Sequence, residues 1–318
     1  MTAKNHSRLI VRSVFRRLTQ VSLTALTTAA ILATATPCLG ADGDPFIDGV
    51  RSFVPGDFAG FGQAAMPRIV LGRPHGAGSI EGSTHVVSLG VGGEIEVVFR
   101  DNVVFDGPGD DLVVYENAFH SGDESGPVFA ELAFVQVSLD RVTWHEFPYD
   151  GDSGEGLAGR EPVFTNSVND IDPLAPEAGG DRFDIGELGL EFVRYVRLID
   201  VAGAIPDPGD LVAPGSKGGF DLDAVGAVHS SLPATVTGTV SHAGQPVGRA
   251  RVKLVPLGPG RKLKRRTGAD GGFAFARVVP SGDYRVRARR MGLGVASEAI
   301  YLDLDQLAAD VELPLGGR

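Results

Sequence analysis

The sequence is poor in cysteine, methionine and tryptophan. One cysteine, three methionines and one tryptophan occur in 318 residues, and the cysteine is Cys38, close to the N-terminus. If the chain is cleaved after Gly40, no cysteine is left. Disulfides, thiol catalysis and cysteine-ligated zinc are then excluded together.

Long apolar runs are also scarce, and the clearest one lies near the N-terminus. Residues 21–35 are uncharged and rich in alanine, leucine and threonine, and the bases before them are Lys4, Arg8, Arg12, Arg16 and Arg17, with no acid among them. Cleavage could follow Ala35, Gly40 or Ala41. This pattern is typical of a signal peptide, with a membrane anchor or an amphipathic helix as the alternatives. We therefore predict a signal peptide over residues 1–41, an exported protein (secreted, at the cell surface or periplasmic), and no transmembrane anchor in the mature chain.

The chemistry-bearing motifs of common enzymes are missing. The seven histidines are scattered, without a His-x-x-x-His or His-Glu-x-x-His spacing, and there is no Gly-x-Ser-x-Gly elbow, dinucleotide fingerprint or phosphate loop. The run GDSGEG at residues 151–156 lacks the histidine motif that a serine protease needs. We predict a protein that is not an enzyme. A pair of carboxylates for glycan hydrolysis stays open as an alternative, because sequence does not show their separation in space.

Glycine and proline are abundant, at 44 and 20 residues. Between the glycine-rich turns, apolar and polar residues alternate with period two, the pattern of half-buried strands. The clearest segments are residues 94–99 (EIEVVF), 112–115 (LVVY), 134–139 (FVQVSL) and 192–199 (FVRYVRLI). These features predict an all-β protein, with an N-terminal jelly-roll-like β-sandwich.

The charge of −11 conceals two very different regions. Residues 41–232 carry 33 acids and 10 bases, whereas residues 233–318 carry 7 acids and 14 bases. Such a change in composition marks a domain boundary. We predict an acidic domain over residues 42–232 and a basic domain over residues 233–318. The acidic domain repels nucleic acid and anionic membranes, so neither is predicted as its partner, and it favours divalent cations.

The acidic domain resembles known families. Ser138, Asp140 and Trp144 in VSLDRVTWHEF are similar to the hairpin of discoidin-like and galactose-binding-like jelly rolls, with Arg141 in place of the turn glycine. The longer run from SLGVGGEIEVVF to GGFDLDAVGAVH resembles a family of exported bacterial proteins described as cell surface proteins. The resemblance implies location and fold, with the tryptophan in the core.

The basic domain is similar to the carboxypeptidase regulatory-like domain. Its order is a strand, Gly-Gln-Pro-Val, Ala-Arg-Val-Lys-Leu, Thr-Gly-Ala-Asp-Gly-Gly-Phe-Ala-Phe and Gly-Asp-Tyr-Arg-Val. The resemblance implies a prealbumin-like (Ig-like) sandwich of seven strands and a non-catalytic accessory module, with carbohydrate binding as an association of the fold. It also places the basic run of residues 261–266 in a hairpin loop, where it would lie in solvent or meet polyanionic glycans, lipid headgroups, DNA or the acidic domain.

Acidic residues cluster at two places in the acidic domain. The predicted calcium ligands are Asp106, Asp110, Asp111, Glu116, Asp221 and Asp223. Calcium accepts six to eight oxygens and compensates carboxylates that would otherwise repel. The spacing of Asp221 and Asp223 predicts that both lie on one strand face. The alternative is that these acids cap turns, pair with arginines or lie in water.

Aromatic residues beside these acids suggest a second possibility. Tyr115 and Phe119, with Trp144 and Tyr149, would supply a stacking surface for a sugar, although core packing is favoured for Tyr115 and Trp144. The sequence thus predicts a secreted or cell-surface binding or structural protein, stabilised by calcium. Its alternatives are a carbohydrate-binding protein and a glycan hydrolase. Expected partners are cell-surface or matrix glycans or another envelope protein.

Overall fold

The computed structural model describes residues 44–204 and 219–316, and all of these belong to one compact unit, Cys38–Arg318. The predicted signal peptide and Cys38 lie outside the described residues. In the described part of the chain, no helix is long and apolar enough to cross a membrane. The predicted all-β class is confirmed. Helical structure in this part is limited to four short 3-10 turns: η1 (Gln63–Ala65), η2 (Arg68–Val70), η3 (Pro176–Ala178) and η4 (Ile185–Leu188).

One sheet of the N-terminal region has five strands. They are β1 (Gly49–Val54), β3 (Glu94–Val98), β8 (Ala133–Ser138), β9 (His145–Glu146) and β12 (Tyr195–Asp200). The sheet order is β1-β3-β12-β8-β9, and every neighbouring pair is antiparallel. In β8, Val135 and Val137 are buried while Phe134 and Gln136 are partly exposed. This alternation is what a strand with one face on a core requires.

Shorter strands form the facing layer. They are β2 (Val87–Ser88), β4 (Val103–Phe105), β5 (Leu112–Tyr115), β6 (Phe119–His120), β7 (Val128–Phe129), β10 (Asp181–Phe183), β11 (Phe192–Val193), β13 (Asp221–Leu222), β14 (Ala224–Ala227) and β15 (Ser230–Ser231). They pair as β10-β5-β14, β11-β4-β15, β13-β2 and the hairpin β6-β7. A single hydrophobic cluster joins this layer to the five-stranded sheet through residues such as Val97, Leu198, Leu112, Val114 and Val225.

The C-terminal region is a second β-sandwich with its own core. Its strands are β16 (Ala234–His242), β17 (Gln245–Pro246), β18 (Arg251–Pro256), β19 (Leu263–Arg266), β20 (Gly272–Val278), β21 (Gly282–Arg290), β22 (Gly294–Leu302) and β23 (Ala308–Pro314). One sheet contains β17-β16-β20 with β23 parallel to β16, and the other has the order β19-β18-β21-β22. Phe275 and Val286 are fully buried between them. Seven strands longer than two residues agree with the fold implied by the resemblance.

The structure differs from the predicted strands in two places. The predicted strand over residues 192–199 is interrupted at Arg194, which separates β11 from β12. The basic run of residues 261–266 was expected to be a loop, but Leu263–Arg266 forms β19 and pairs with β18. Leu263 is partly buried against the C-terminal core, which explains why this end of the run joins the sheet.

The hairpin between β8 and β9 shows why an arginine replaces the turn glycine. Arg141 has a φ of 64°, in the left-handed region that favours glycine. The turn is held by Asp140, whose Oδ1 accepts the backbone N–H groups of Val142 (2.8 Å) and Thr143 (2.9 Å). The Arg141 side chain donates to Glu96 Oε2 from Nη2 (2.5 Å) and Nε (2.9 Å). These contacts offset the backbone strain.

Trp144 is not in the core, contrary to the expectation from the resemblance. Its side chain is partly exposed, and the guanidinium of Arg197 lies 3.9 Å from the ring centroid. Arg197 Nη2 also donates to Glu96 Oε1 at 2.7 Å. Trp144 therefore covers the outer face of the five-stranded sheet through a cation–π contact.

Candidate metal centre

The structure divides the six predicted calcium ligands among different places. Asp106 and Asp111 meet Asp184, and Glu116 and Asp221 meet Glu131. Within each group of three, one ligand oxygen of every carboxylate lies within 4.8 Å of the others. The two groups are named here the Asp111 cluster and the Glu116 cluster.

Hydrogen bonds already engage the Asp111 cluster. Asp111 is fully buried, and its Oδ1 accepts from the backbone N–H of Gly107 and contacts His229 Nδ1, both at 2.8 Å. Its Oδ2 accepts from the backbone N–H of Ile185 at 3.0 Å. Asp184 caps η4 by accepting from the Gly186 N–H at 2.7 Å. Asp111 and Asp184 hold the surrounding loops through these hydrogen bonds. A cation would have to compete with the existing donors.

Three chain segments bring the Glu116 cluster together. Glu116 directly follows β5, Asp221 is the first residue of β13, and Glu131 lies two residues ahead of β8. Asp221 is paired with Ser88 in the β13–β2 ladder. The backbone N–H of Asp223 donates to the Tyr115 carbonyl at 2.9 Å, which places the end of β13 beside the end of β5. Strand ends from both layers of the sandwich therefore meet at these three acids.

Buried carboxylates at this position hold their protons unusually tightly. Burial raises the pKa of Glu116 well above its usual range, and the nearby charges of Asp221 and Glu131 raise it further. Burial also raises the pKa of Asp221 to about 6, although hydrogen bonds from Ser88 and Asn117 oppose the shift. Desolvation disfavours the charged form, so without a cation the ionised forms of Glu116 and Asp221 are less stable than they would be in water.

Several oxygens at the Glu116 cluster lack a donor. Glu116 is only 2% exposed, and its Oε2 has no hydrogen-bond partner among the described residues. The same holds in this part of the chain for Asp221 Oδ1 and for Oδ1 of the adjacent Asn117. Buried oxygens without donors are costly, since almost all buried polar atoms in proteins are satisfied.

The donor set of the Glu116 cluster fits calcium. All its candidate ligands are oxygens, which calcium and magnesium prefer over the nitrogen and sulfur donors typical of zinc. Two oxygens on one calcium ion lie at most about 5 Å apart, since each Ca–O distance is about 2.3 to 2.6 Å. The mutual distance limit of 4.8 Å meets that condition. Glu116, Glu131 and Asp221 would hold the ion, with Asn117 beside them.

Asp110 and Asp223, the other two predicted ligands, belong to neither cluster. Asp110 is exposed and borders a surface cleft of about 450 Å³ with Asp150 and Glu187. Asp223 is buried, accepts the backbone N–H of His75 at 2.6 Å and lies 3.7 Å from His85 Nδ1. Asp221 and Asp223 therefore serve different sites, although they are two residues apart.

The two aromatic residues predicted to contact a sugar are also separated. Tyr115 is fully buried, and its hydroxyl donates to the Pro173 carbonyl, so it is not available as an exposed stacking surface. Phe119 is partly exposed and stacks on Phe129 in the β6–β7 hairpin, with ring centroids 5.2 Å apart. The core packing favoured for Tyr115 is what the structure has.

Glu131, Asp184 and Asn117 were missed by the sequence analysis. Glu131 interrupts the apolar run FAELAF at residues 129–134, and a single acid in such a run is a signal that it has a buried role. Asp184 precedes a short helical turn, where a capping aspartate is expected. No comparable local signal marks Asn117.

Comparison with known proteins identifies one part of the chain. Residues 235–315 match the carboxypeptidase regulatory-like domain. No curated protein matches the chain. The C-terminal region therefore contains a domain of the kind that its motifs had indicated.

Similarities to solved structures are weak. A dioxygenase domain of a dioxygenase and carbohydrate-binding protein fusion from Streptomyces sp. SirexAA-E is 17% identical, with 28% of this chain and 82% of that chain covered and a TM-score of 0.21. BcpA, the major pilin subunit of Bacillus cereus, is 9% identical, with coverages of 71% and 64% and a TM-score of 0.24. The pilus 2b backbone protein of group B streptococcus is 12% identical, with coverages of 72% and 95% and a TM-score of 0.24. Likenesses at this level carry no inference about function, and the one family found is the carboxypeptidase regulatory-like domain of residues 235–315.

Proposed function

We propose that the chain is an exported, non-enzymatic binding or structural protein of the cell surface whose N-terminal sandwich is stabilised by calcium. Glu116, Glu131 and Asp221 hold the ion. The observation that carries this proposal is the buried Oε2 of Glu116, which has no donor among the described residues and lies in a group of three carboxylates.

Calcium would stabilise the folded state here by linking chain segments. Glu116 follows β5, Asp221 starts β13 and Glu131 precedes β8, so one ion would link three separate segments of the chain. Without the ion, the free energy of folding includes the cost of burying these carboxyls or of keeping them protonated. Bound calcium removes that cost and adds its binding free energy to the stability of the folded state.

The roles of the other buried acids support a structural function. Asp200 accepts the backbone N–H groups of Gly92 (2.7 Å) and Phe220 (2.8 Å), and Asp181 accepts those of Gly159 (2.7 Å) and Arg160 (2.9 Å). Asp200 holds two separate segments together, as Asp111 does, and Asp181 fastens the segment of Gly159 and Arg160 to β10. The acids thus hold loops in position. The family matched by residues 235–315 is a regulatory-like domain.

Hydrolysis of a glycan is the less favoured alternative. Glu116 has the raised pKa that a general acid needs, but only 2% of its surface is exposed. A general acid must come within hydrogen-bond reach of the substrate, and a polysaccharide does not reach a side chain buried to this extent. Release of reducing ends from a polysaccharide panel, lost in Glu116→Gln, would revive this alternative.

Thermal unfolding tests the calcium site. The tryptophan fluorescence of Trp144, the one tryptophan of the chain, reports the N-terminal sandwich separately from the C-terminal one. With calcium at about a hundredfold excess over its dissociation constant, the stability should exceed that in chelator by about 2.7 kcal/mol. The midpoint should then rise by about 5 to 11 °C for a unit of this size.

Matched variants locate the ion. The response to calcium should disappear in Glu116→Gln and Asp221→Asn, and it should persist in Asp110→Asn, which removes an exposed acid from the same domain. A response that is lost in Asp106→Asn and kept in Glu116→Gln would place the ion in the Asp111 cluster instead. A midpoint independent of calcium in the unmutated chain would refute the proposal.

Location is tested on intact cells. A surface protein should be cleaved by an added protease that cannot enter the cell, whereas a periplasmic protein should resist until the envelope is opened. Full protection on intact cells would contradict the proposed surface location and leave the calcium site unaffected.

A further inference from the structure

The outer face of one C-terminal sheet carries a regular array of cations. In the sheet β19-β18-β21-β22, Arg266, Arg251 and Arg289 lie directly opposite one another on adjacent strands. Lys264, Lys253 and Arg287 form the next row. With Arg285 on β21, these side chains define the basic face: Arg251, Lys253, Lys264, Arg266, Arg285, Arg287 and Arg289.

Strand alternation directs these side chains away from the core. Val252 and Leu254 on β18, and Val286 and Ala288 on β21, are buried in the core of the C-terminal sandwich. The residues between them therefore point outward. Six of the seven cations are exposed, and Lys253 is partly exposed at the centre of the array.

No acid neutralises the basic face. Opposite Arg289, Arg287 and Arg285, strand β22 places Val295, Ser297 and Ala299. Asp283 lies on β21 opposite Tyr301, at the end of the sheet beyond the cations. No ion pair involves any residue of the basic face within the described ranges.

Like charges in this arrangement reduce the stability of the sheet. Side chains directly opposite on neighbouring strands are about 5 Å apart, and like charges at such positions are destabilising. Two consecutive rows contain three cations each, and the repulsion within each row persists unless an anion lies over it. A face of this composition is therefore suited to binding an anionic partner.

The geometry favours an extended polymer as the partner. Neighbouring strands are about 4.8 Å apart, and outward residues on one strand are about 6.8 Å apart, so the cations form a flat grid. A grid of this kind matches anions that repeat along a chain. Arginine, which supplies five of the seven cations, binds sulfate-like and phosphate-like groups through two parallel hydrogen bonds.

Nucleic acid and a second copy of the chain fit this face less well. Tyr301, at the margin, is the one aromatic side chain on the outer positions of the described sheet, so bases find no stacking platform. The acidic region of residues 41–232 carries 33 acids against 10 bases. Its acids could attract the basic face of another copy, but those acids that the structure shows bonded are engaged in holding their own loops.

We propose that the basic face binds a linear anionic polysaccharide that carries sulfate groups. The choice of a polysaccharide rests on the proposed surface location, whereas the binding of a sulfated polymer is tested independently of it. The basic face lies on the C-terminal sandwich, which has its own core, whereas the Glu116 cluster lies in the N-terminal sandwich, so binding should not require calcium.

Binding to dextran sulfate tests this inference, with uncharged dextran as the control. The purified chain should bind dextran sulfate at low salt and lose affinity as salt rises, because counterions are released on binding. It should not bind dextran. The same affinity is expected in calcium and in chelator, so failure of the calcium site leaves this result unchanged.

Two variants of the central row give the matched comparison. Lys253→Gln and Arg287→Gln should each weaken binding about fivefold, the effect of removing one cation near an anionic surface. The control is Arg51→Gln, which removes an exposed arginine from β1 of the other sandwich and should leave the affinity within about twofold. Neither central variant should lower the unfolding midpoint, because each removes a repulsive charge.

Four results would overturn the proposal. They are the absence of binding to dextran sulfate at low salt, equal affinity in Lys253→Gln and the unmutated chain, and preferential binding to double-stranded DNA or to vesicles of anionic lipid. The fourth is self-association in sedimentation that Arg287→Gln abolishes, since the basic face would then contact a second copy of the chain.

Discussion

Raising the pH is expected to destabilise the N-terminal sandwich when calcium is absent. Burial raises the pKa of Asp221 to about 6 and that of Asp181 to about 7, whereas an unfolded aspartate titrates near 3.8. The pKa of Asp223 is also raised to about 6 by burial, against the effects of the nearby His85 ring and of the hydrogen bond from the His75 N–H. Between these limits the folded state binds more protons than the unfolded state, so stability falls as pH rises.

The magnitude follows from the shifts. A change in pKa from 3.8 to about 6 corresponds to about 3 kcal/mol for Asp221. Most of that loss accrues between about pH 4 and about pH 6, and Asp181 extends it to about pH 7. A loss of about 3 kcal/mol lowers the midpoint of a unit of this size by about 6 to 12 °C. Glu96, whose pKa is lowered by its bonds to Arg197 and Arg141 against the effect of burial, acts with the opposite sign and only in the acidic range.

The assay is a series of fluorescence melts in chelator between about pH 5 and about pH 7.5. The midpoint should fall across this range. Saturating calcium should remove the part of the fall that comes from Glu116 and Asp221, because the ion stabilises their ionised carboxylates, whereas the part from Asp181 and Asp223 should persist. In Asp221→Asn the fall in chelator should be smaller. A midpoint in chelator that is constant, or higher at the alkaline end, would refute the reasoning.

Three further predictions concern the packing and the turns. Phe275→Ala should destabilise the C-terminal sandwich by about 3 to 5 kcal/mol, since the ring is fully buried, with circular dichroism melts as the measurement and an unchanged Trp144 fluorescence melt as the control. Glu96→Ala should cost about 1 to 3 kcal/mol in the fluorescence melt, because two arginines lose their shared acceptor; a cost near zero would contradict the buried network. Gly238→Ala should lower the midpoint of the C-terminal sandwich, because a β-carbon there would lie 2.2 Å from the Val311 carbonyl oxygen between β16 and β23, and an unchanged midpoint would show that these strands separate at little cost.

Period-two patterns predicted the strands well where one face meets a core. Residues 134–139 form β8 to within one residue, with Phe134 and Gln136 partly exposed. Residues 112–115 form β5 as expected, although all four of its residues are buried. The break at Arg194 was not predicted, since the apolar alternation continues through it. The loop predicted from the basic run was also wrong for residues 263–266. Consecutive basic residues are typical of a solvated loop, and the pairing with β18 is not visible in the sequence.

The sequence predicted that the candidate site consists of carboxylates, but it did not predict which carboxylates lie together. Two of the predicted ligands, Glu116 and Asp221, are in the Glu116 cluster. Glu131 could not be joined to them from the sequence, because the contact depends on long-range pairing of strand ends. The spacing of Asp221 and Asp223 predicted a shared site, whereas the chain leaves the β13 ladder at Asp223 and turns that carboxylate toward His75.

Calcium binding at the Glu116 cluster is best measured by calorimetric titration in two buffers of different ionisation heat. One calcium ion should bind per chain, and protons should be released on binding near neutral pH because buried Glu116 must ionise to bind the ion. Glu116→Gln should abolish the binding heat, and Asp110→Asn should preserve it. Absence of binding in the unmutated chain, or binding that persists in Glu116→Gln, would show that the Glu116 cluster is not a calcium site.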